Sequence, residues 1–384
     1  MTAAIAGIGA TEFSKRSGRS ELRLTIEAIT GALEDAGLSR ADIDGLVTMS
    51  VDASSPADVA RALGLPSLPF SGLAPYGGGG VCAVLQLAVL AVTARAATTV
   101  VCYRGLNGRS SHRYGTGPGS SAVVRDFAYY IPFGLVSAPG WIAMFARRYM
   151  HESGASSEDF GRVTVAERAY AAANPRAYFY RRPITIEDHQ ASRWIAEPLR
   201  LLDCCQETDG AVALIVTSLD RAAALRQRPA VVLACAQAAG PDQHAMTSYY
   251  RDSITAFPEC EDVARQLWQQ SGLRPDDVDV AELYEHFSPA VLFQLEAYGF
   301  CEPGEARHFI NDGEISPTGR LPVNTHGGQL GEGYLHGMNG IAEAVRQVRG
   351  TAVNQVAKPA VIALATGGPA VPTSGALLGP PEAA

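Results

Sequence analysis

Tyr284, Glu285 and His286 stand side by side in the stretch ELYEHFSP (Glu282–Pro289), and NTHGGQLGEGYLHGMNG (Asn324–Gly340) carries His326, Glu332, Tyr334 and His336 among glycines. A phenol is a weak acid, with an unperturbed pKa of about 10. Neutral, it can hand a proton to a forming carbanion; where a charge or hydrogen bond stabilises its anion, it becomes a base. Glycine pairs or runs recur at Gly77–Gly80, Gly327–Gly328 and Gly367–Gly368. Glycine lets backbone N–H groups come close to an atom on which negative charge develops. Tyr334 sits in a loop between glycines, and Tyr284 is expected to end a strand. Alternation along that strand would put Tyr284 and His286 on one face and Glu285 on the other. His286 is a candidate to tune Tyr284 or to act as a third acid/base group. His326 and His336 are candidates to contact substrate, with hydrogen bonding inside the loop as the competing role, and Glu332 is expected to be a solvated loop carboxylate. The eight histidines show no metal-ligand spacing, so no metal and no bound cofactor is expected. GIGATEF lacks the third glycine of a dinucleotide fingerprint.

These residues need a large frame to hold them. The chain has 384 residues and a formal net charge of −8, which argues against a broad nucleic-acid or anionic-membrane surface. Its seven cysteines follow no framework spacing and read as free thiols in a reducing cytoplasm. No signal peptide and no apolar run of about 20 residues is legible. Strands are expected at Ala3–Gly7, Gly45–Met49 and Thr98–Tyr103, with an amphipathic helix at Leu22–Ala36 and a buried apolar helix at Cys82–Ala97. The alternation predicts a mainly parallel sheet covered by helices. AGLSRADIDGLV from Ala36 is echoed by SGLRPDDVDVAEL from Ser271. The echo predicts two copies of one unit, residues 1–220 and 228–384, with strands opening and closing the second copy at Ala230–Ala234 and Ala360–Ala365. An insertion over about 106–201 carries GTGPGSS and the aromatic clusters Phe127, Tyr129, Tyr130 and Tyr178, Phe179, Tyr180. It reads as a lid or substrate-binding subdomain.

The stretch from Asn174 to Ser218, NPRAYFYRRPITIEDHQASRWIAEPLRLLDCCQETDGAVALIVTS, resembles the thiolase superfamily, in its sterol carrier protein X-like lipid-transfer branch. ELYEHFSP and NTHGGQLGEGYLHGMNG agree with that branch as well. The resemblance implies a five-layered αβαβα thiolase fold from two duplicated halves, a homodimer, and a thioester site where loops of both halves meet. It also implies that the chemical groups of a thiolase are gone. Gly77 in GGGGVCAVLQLA takes the place of the nucleophilic cysteine, and Ala365 that of the second cysteine. Tyr334 replaces the family's catalytic histidine, and Tyr284 its asparagine or histidine. Cys82 lies inside the apolar helix and reads as a core residue. Asp203 and Asp209, within the long signature, are expected to be structural.

Without a nucleophile, covalent acyl transfer loses its first step. An oxyanion site built from Gly77, Gly78, His326, His336, Gly367 and Gly368, with Tyr284, Tyr334 and His286 for proton transfer, suits cleavage of a carbon–carbon bond through a thioester enolate. The pattern resembles the steroid side-chain-cleaving aldolases of this branch. That implies retro-aldol cleavage of a β-hydroxyacyl-CoA of the 17-hydroxy-3-oxo-pregnene-20-carboxyl type to a 17-ketosteroid and propionyl-CoA, with neither Schiff base nor metal. It also implies a small OB-fold, zinc-ribbon partner protein, often joined to a hydratase. The alternatives are a non-catalytic acyl-CoA or lipid-binding subunit of a partner enzyme and, less in keeping with Gly77 and Ala365, a residual thiolase or acyltransferase.

Overall fold

The structure, a computed structural model, describes residues 2–75, 77–111, 129–244, 246, 248–358 and 360–383. The tract GTGPGSS and Phe127 fall outside the described residues.

Each half of the chain opens with a strand followed by a helix that ends at glycine. In the first half these are β1 (Ala3–Ala10) and α1 (Glu21–Ala36). Ser20 caps the start of α1 by accepting from Arg23 N, and Gly37 ends it in the left-handed conformation at φ 74°, a geometry that disfavours residues with a Cβ. β2 (Gly45–Met49), β3 (Phe70–Ala74), the apolar helix α2 (Val81–Thr93) and β4 (Thr99–Asn107) follow. Next come α3 (Ala138–Ser153), α4 (Ser157–Ala173) and a small ribbon of β5 (Trp194–Ala196) and β6 (Leu199–Arg200). β7 (Asp209–Ser218) then returns to the main sheet. The second half comprises β8 (Ala230–Ala238), α5 (Pro258–Ser271), β9 (Val280–Glu282), α6 (Met338–Arg349), β10 (Ala363–Thr366) and β11 (Thr373–Gly379).

Among the described residues, nine strands form the main sheet in the order β3-β2-β4-β7-β1-β8-β11-β10-β9. Outward from β1 the ladders are antiparallel to β7, antiparallel to β4 and parallel to β2. Outward from β8 the same sequence of senses leads to β11, β10 and β9. The echoed turns also make the same bonds. Ser39 N donates to Asp42 Oδ2 at 2.9 Å and Arg274 N to Asp277 Oδ2 at 2.8 Å. The Asp44 carboxylate takes Thr98 N and Thr99 N, and that of Asp279 takes Ile362 N. Each pins the start of the neighbouring parallel strand.

Among the described residues, the two halves of the sheet pair through Ala4–Val231 and Ile5–Ala230. Helix α2 nevertheless touches both β3 and β10, seven strand steps apart. Laid flat, that span would be about 34 Å, at about 4.8 Å per step. A helix of 13 residues reaches only about 20 Å. The sheet therefore folds over α2 and α6, while α1 and α5 cover the outer faces, which makes five layers. Both sides of α2 being covered explains its composition: Val81, Val84, Leu85 and Val92 are all buried, each contributing roughly 1.5–3 kcal/mol relative to exposure.

Several expectations are corrected. The sheet is not mainly parallel: among the described residues, five of its eight ladders are antiparallel. β7, after the helical insertion, and β11, after a short loop from β10, both enter the sheet reversed. Helix α2 stops at Thr93 rather than Ala97, and β10 starts at Ala363 rather than Ala360. The described part of the insertion is not simply a flap, because Ile142, Phe145, Phe160 and Val163 of α3 and α4 share one core with Phe257, Phe293 and Leu377 of the second half.

Candidate active site

Three loops converge at the N-terminal end of α2. Gly77–Gly80 leads into the helix. Strand β9 stops at Glu282, so Tyr284 stands in the irregular segment beyond it and alternation no longer governs its direction. Its backbone is held instead: Tyr284 N donates to Thr366 Oγ1 at 2.9 Å, and Gln294 Nε2 donates to Tyr284 O at 2.6 Å. Tyr334 comes from the glycine-rich loop before α6, where its N donates to Thr208 Oγ1 at 2.9 Å.

The two phenol oxygens lie 3.0 Å apart, within one hydrogen bond. Tyr284 and Tyr334 are 5% and 9% exposed, so this pair is screened from bulk water. Glycines make the room. A Cβ on Gly78 would overlap the Tyr284 ring and hydroxyl, one on Gly337 would come to 2.9 Å of the ring, and one on Gly368 to 3.0 Å. The phenol thus fills the space that a side chain at the mouth of α2 would need.

Two imidazoles flank the pair. The His336 ring meets the Tyr334 ring edge-on at 5.0 Å, and the His286 ring lies 5.2 Å from that of Tyr284. Both histidines are held neutral. Burial pushes His286 down to about 3. Burial, then Arg104, then His286 hold His336 well below its ordinary value. Neither ring nitrogen of His286 has a hydrogen-bond partner among the described residues. An unpaired buried imidazole is costly, and this one is available to a ligand.

The carboxyls of these two loops point elsewhere. Glu285 turns from the phenols and, deeply buried, takes the N–H groups of Gln329 and Leu330. A Cβ on Gly328 would strike both Glu285 Oε1 and Glu167 Oε2, so the two carboxyls adjoin. Burial raises both, and the Glu285 charge raises Glu167 further, so this pair tends to retain a proton. His326 donates from Nδ1 to Glu282 at 2.7 Å and faces Glu332 at 3.9 Å. Burial alone would lower it, but Glu282, Glu332 and Glu343 outweigh that and lift it to about 9.

The placement corrects several site expectations. His326 is tied into this carboxylate network rather than to the phenols. Glu332 is buried, not solvated, and accepts from Asn174 and Asn339. The N–H groups of Gly367 and Gly368 are committed to Ser374 O at 2.7 Å and Gly78 O at 3.2 Å, because the loop packs tightly against Gly78–Gly79. They are not oxyanion donors here. Asp203 binds His189, Ser288 and Arg200 N, and Asp209 takes the N–H groups of Ser17, Arg109 and Ser110; both hold loops. Cys82 Sγ faces Ala365 O, with its thiol pushed well up by burial, the opposite of an activated nucleophile. A cavity of about 410 Å³ opens beside Phe13, Arg176, Tyr178, Glu332 and Arg346, but neither phenol lines it. The reacting groups, not that void, locate the site. Sequence reasoning missed Arg104, Asp52 and Glu167. Arg104, alone among apolar residues in VVCYRGL, was a usable signal; Asp52 and Glu167 carried none.

Comparison with known proteins agrees with this geometry. The thiolase C-terminal domain-like family matches residues 240–378. A steroid side-chain-cleaving aldolase from Thermomonospora curvata is 57% identical over 98% of this chain and 97% of its own length. The chain belongs to the thiolase superfamily, in its sterol carrier protein X-like branch. The 17-hydroxy-3-oxo-4-pregnene-20-carboxyl-CoA lyase of Mycobacterium tuberculosis is 58% identical over 98% and 99% of the two chains. A solved Ltp2-ChsH2(DUF35) aldolase superposes on this superfamily member with TM-score 0.94 and 57% identity, covering 99% of this chain and 98% of the other. Human mitochondrial 3-ketoacyl-CoA thiolase, 16% identical with TM-score 0.67 over 99% and 98% of the two chains, shares the thiolase fold.

Proposed function

We propose that the protein is a retro-aldolase that cleaves 17-hydroxy-3-oxo-4-pregnene-20-carboxyl-CoA, or a close relative, to a 17-ketosteroid and propionyl-CoA. The single observation that carries this reading is the buried phenol pair at 3.0 Å, occupying the mouth of the helix where a thiolase of this fold would need sulfur. One phenol oxygen, ionised, takes the β-hydroxyl proton. The Cα–Cβ bond breaks as the β-carbon becomes a ketone, and its electron pair passes into the thioester enolate. A phenol proton then goes to Cα. The hydroxyl that donates within the pair stabilises charge on the one that accepts. The steps balance with one proton moved from oxygen to carbon and no change of oxidation state. They call for neither Schiff base nor metal ion.

The near-full-length identity to the two steroid-acting relatives supports the substrate class. The DUF35 chain in the superposed aldolase supports a partner of OB-fold and zinc-ribbon type, free or joined to a hydratase. The exposed edge strand β3, with Leu73 56% exposed, supports a homodimer. We read residues 1–220 and 228–384 as its two units, supported by the matching ladders and turns, and the seven thiols favour a cytoplasmic setting. No described helix is long and apolar enough to cross a membrane.

The test is co-expression with a DUF35-type partner and incubation with the steroid thioester, with mass detection of propionyl-CoA and the ketone. Cleavage that falls at least 100-fold in Tyr284→Phe and Tyr334→Phe is expected. Ligand binding without cleavage, unaltered in both variants, would leave a non-catalytic binding subunit as the better reading.

A further inference from the structure

Arg104 stands in the middle of β4, a strand buried at every position, and is itself 1% exposed. A guanidinium so placed is costly unless its donors are met. Its Nη1 donates to Asp52 Oδ2 at 2.9 Å and to Gly105 O at 2.7 Å. The Asp52 side chain, fully buried, is held in turn by Ser54 N at 2.8 Å, Gly105 N at 3.1 Å and Thr48 Oγ1 at 3.2 Å. The Nε of Arg104 donates to His336 Nδ1 at 3.0 Å.

That last bond reverses the usual arrangement. A histidine whose Nδ1 meets a carboxylate or carbonyl carries its proton there, and Nε2 is left as a base. Guanidinium has only donors. His336 Nδ1 must therefore accept, and the single proton of the neutral ring sits on Nε2. The neutral state follows from burial beside Arg104. Nε2 lies 3.0 Å from where a Cβ on Gly77 would stand, at the entrance to α2 and next to the phenol pair. An N–H that keeps its proton is thus aimed at the place left by the missing side chain.

We propose that Arg104, anchored by Asp52, is a positioning residue that fixes His336 as a neutral Nε2–H donor to the thioester oxygen. This rests on the retro-aldolase reading and adds to it the group that shares the enolate charge. As the Cα–Cβ bond breaks, the electron pair reaches the thioester oxygen. His336 hydrogen-bonds that oxygen without giving up its proton, and the proton for Cα comes from the phenol pair. Removing one such donor typically lowers kcat by about 100-fold or more.

The test uses the complex of this chain with its partner and two reactions: cleavage of the steroid thioester, and exchange of the Cα protons of propionyl-CoA in D2O, which needs only the enolate. His336→Leu is expected to lower both at least 100-fold with KM within threefold. His336→Gln, which keeps an N–H donor on the same left-handed backbone, at φ 54°, should recover to within tenfold of wild type. The 15N spectrum of histidine-labelled protein should show His336 protonated on Nε2 alone. The paired variant Asp52→Asn with Arg104→Met, which leaves no buried charge unmatched, should lose that single tautomer and at least 30-fold in exchange. Exchange in His336→Leu within threefold of wild type, or a proton on Nδ1, overturns the proposal. Absent steroid cleavage with exchange still dependent on His336 overturns only the retro-aldolase reading.

Discussion

Tyr284 and Glu285 are neighbours in sequence yet belong to different chemical regions. On one side, two phenols and two neutral imidazoles pack against glycines. On the other, Glu167, Glu282, Glu285, Glu332 and the protonated His326 form a buried charged network. The first region stores little charge and is free to accept it when a carbanion forms. The second is a network of carboxyls and an imidazolium that hold the loops in place. A carboxylate beside the phenols would oppose the charge developing there, so the loops that present Tyr284 and Tyr334 send their carboxylates to the far side. Reactivity and rigidity are thus built from the same two peptides.

The sharpest way to break this contrast is Glu282→Leu, which strands the His326 imidazolium. Removing one member of a buried ion pair costs about 3–5 kcal/mol, read as a lower urea midpoint; a loss under about 1 kcal/mol would show that the network is not what holds the loop. Next, Tyr284→Phe and Tyr334→Phe should each cost about 100-fold in kcat, equivalent to about 2.7 kcal/mol, while unfolding stability shifts by only about 1 kcal/mol. Stability losses as large as that of Glu282→Leu would erase the distinction between the regions. Gly78→Ala should displace the Tyr284 ring at an overpacking cost of about 1–3 kcal/mol, with kcat falling in parallel; a crystal structure with the phenol pair unmoved would count against the proposed fit.

The smallest effect concerns pH. Glu285 is raised from the ordinary carboxylate value of 4.5 to about 7, chiefly by burial. The folded protein therefore binds a proton more tightly than the unfolded chain does. Stability from this group is complete below about pH 4.5 and is lost as pH rises through about 7. Glu167→Gln, which supplies a permanent N–H donor to Glu285, should flatten that decline between pH 5 and 8 in thermal unfolding. An unchanged slope would mean that the carboxyl pair does not share a proton.

Much of the frame was legible. Gly37 and Gly272 marked helix ends, Asp42 with Asp44 and Asp277 with Asp279 marked the duplicated turns, and the apolar run from Cys82 marked a buried helix. These are local signals, set by backbone conformation and by which side chains tolerate water. The reversed ladders of β7 and β11 were not legible, because strand direction is set by the path of the connection, a long helical excursion before β7 and a short loop before β11. Tyr284 and Tyr334 could be nominated from residue type and surroundings, but Glu332 was misassigned as solvated, since nothing nearby in sequence shows that Asn174 and Asn339 await it.

The sequence by itself determined that phenols and imidazoles stand near glycines in the two loop peptides. Only the tertiary structure decided that the phenols touch, that burial disfavours the protonated form of His336 beside them, and that Arg104 Nε donates to its Nδ1. Composition sets which protons a chain owns. Where they reside depends on burial and on partners up to 232 residues apart in sequence, and those are properties of the packed fold.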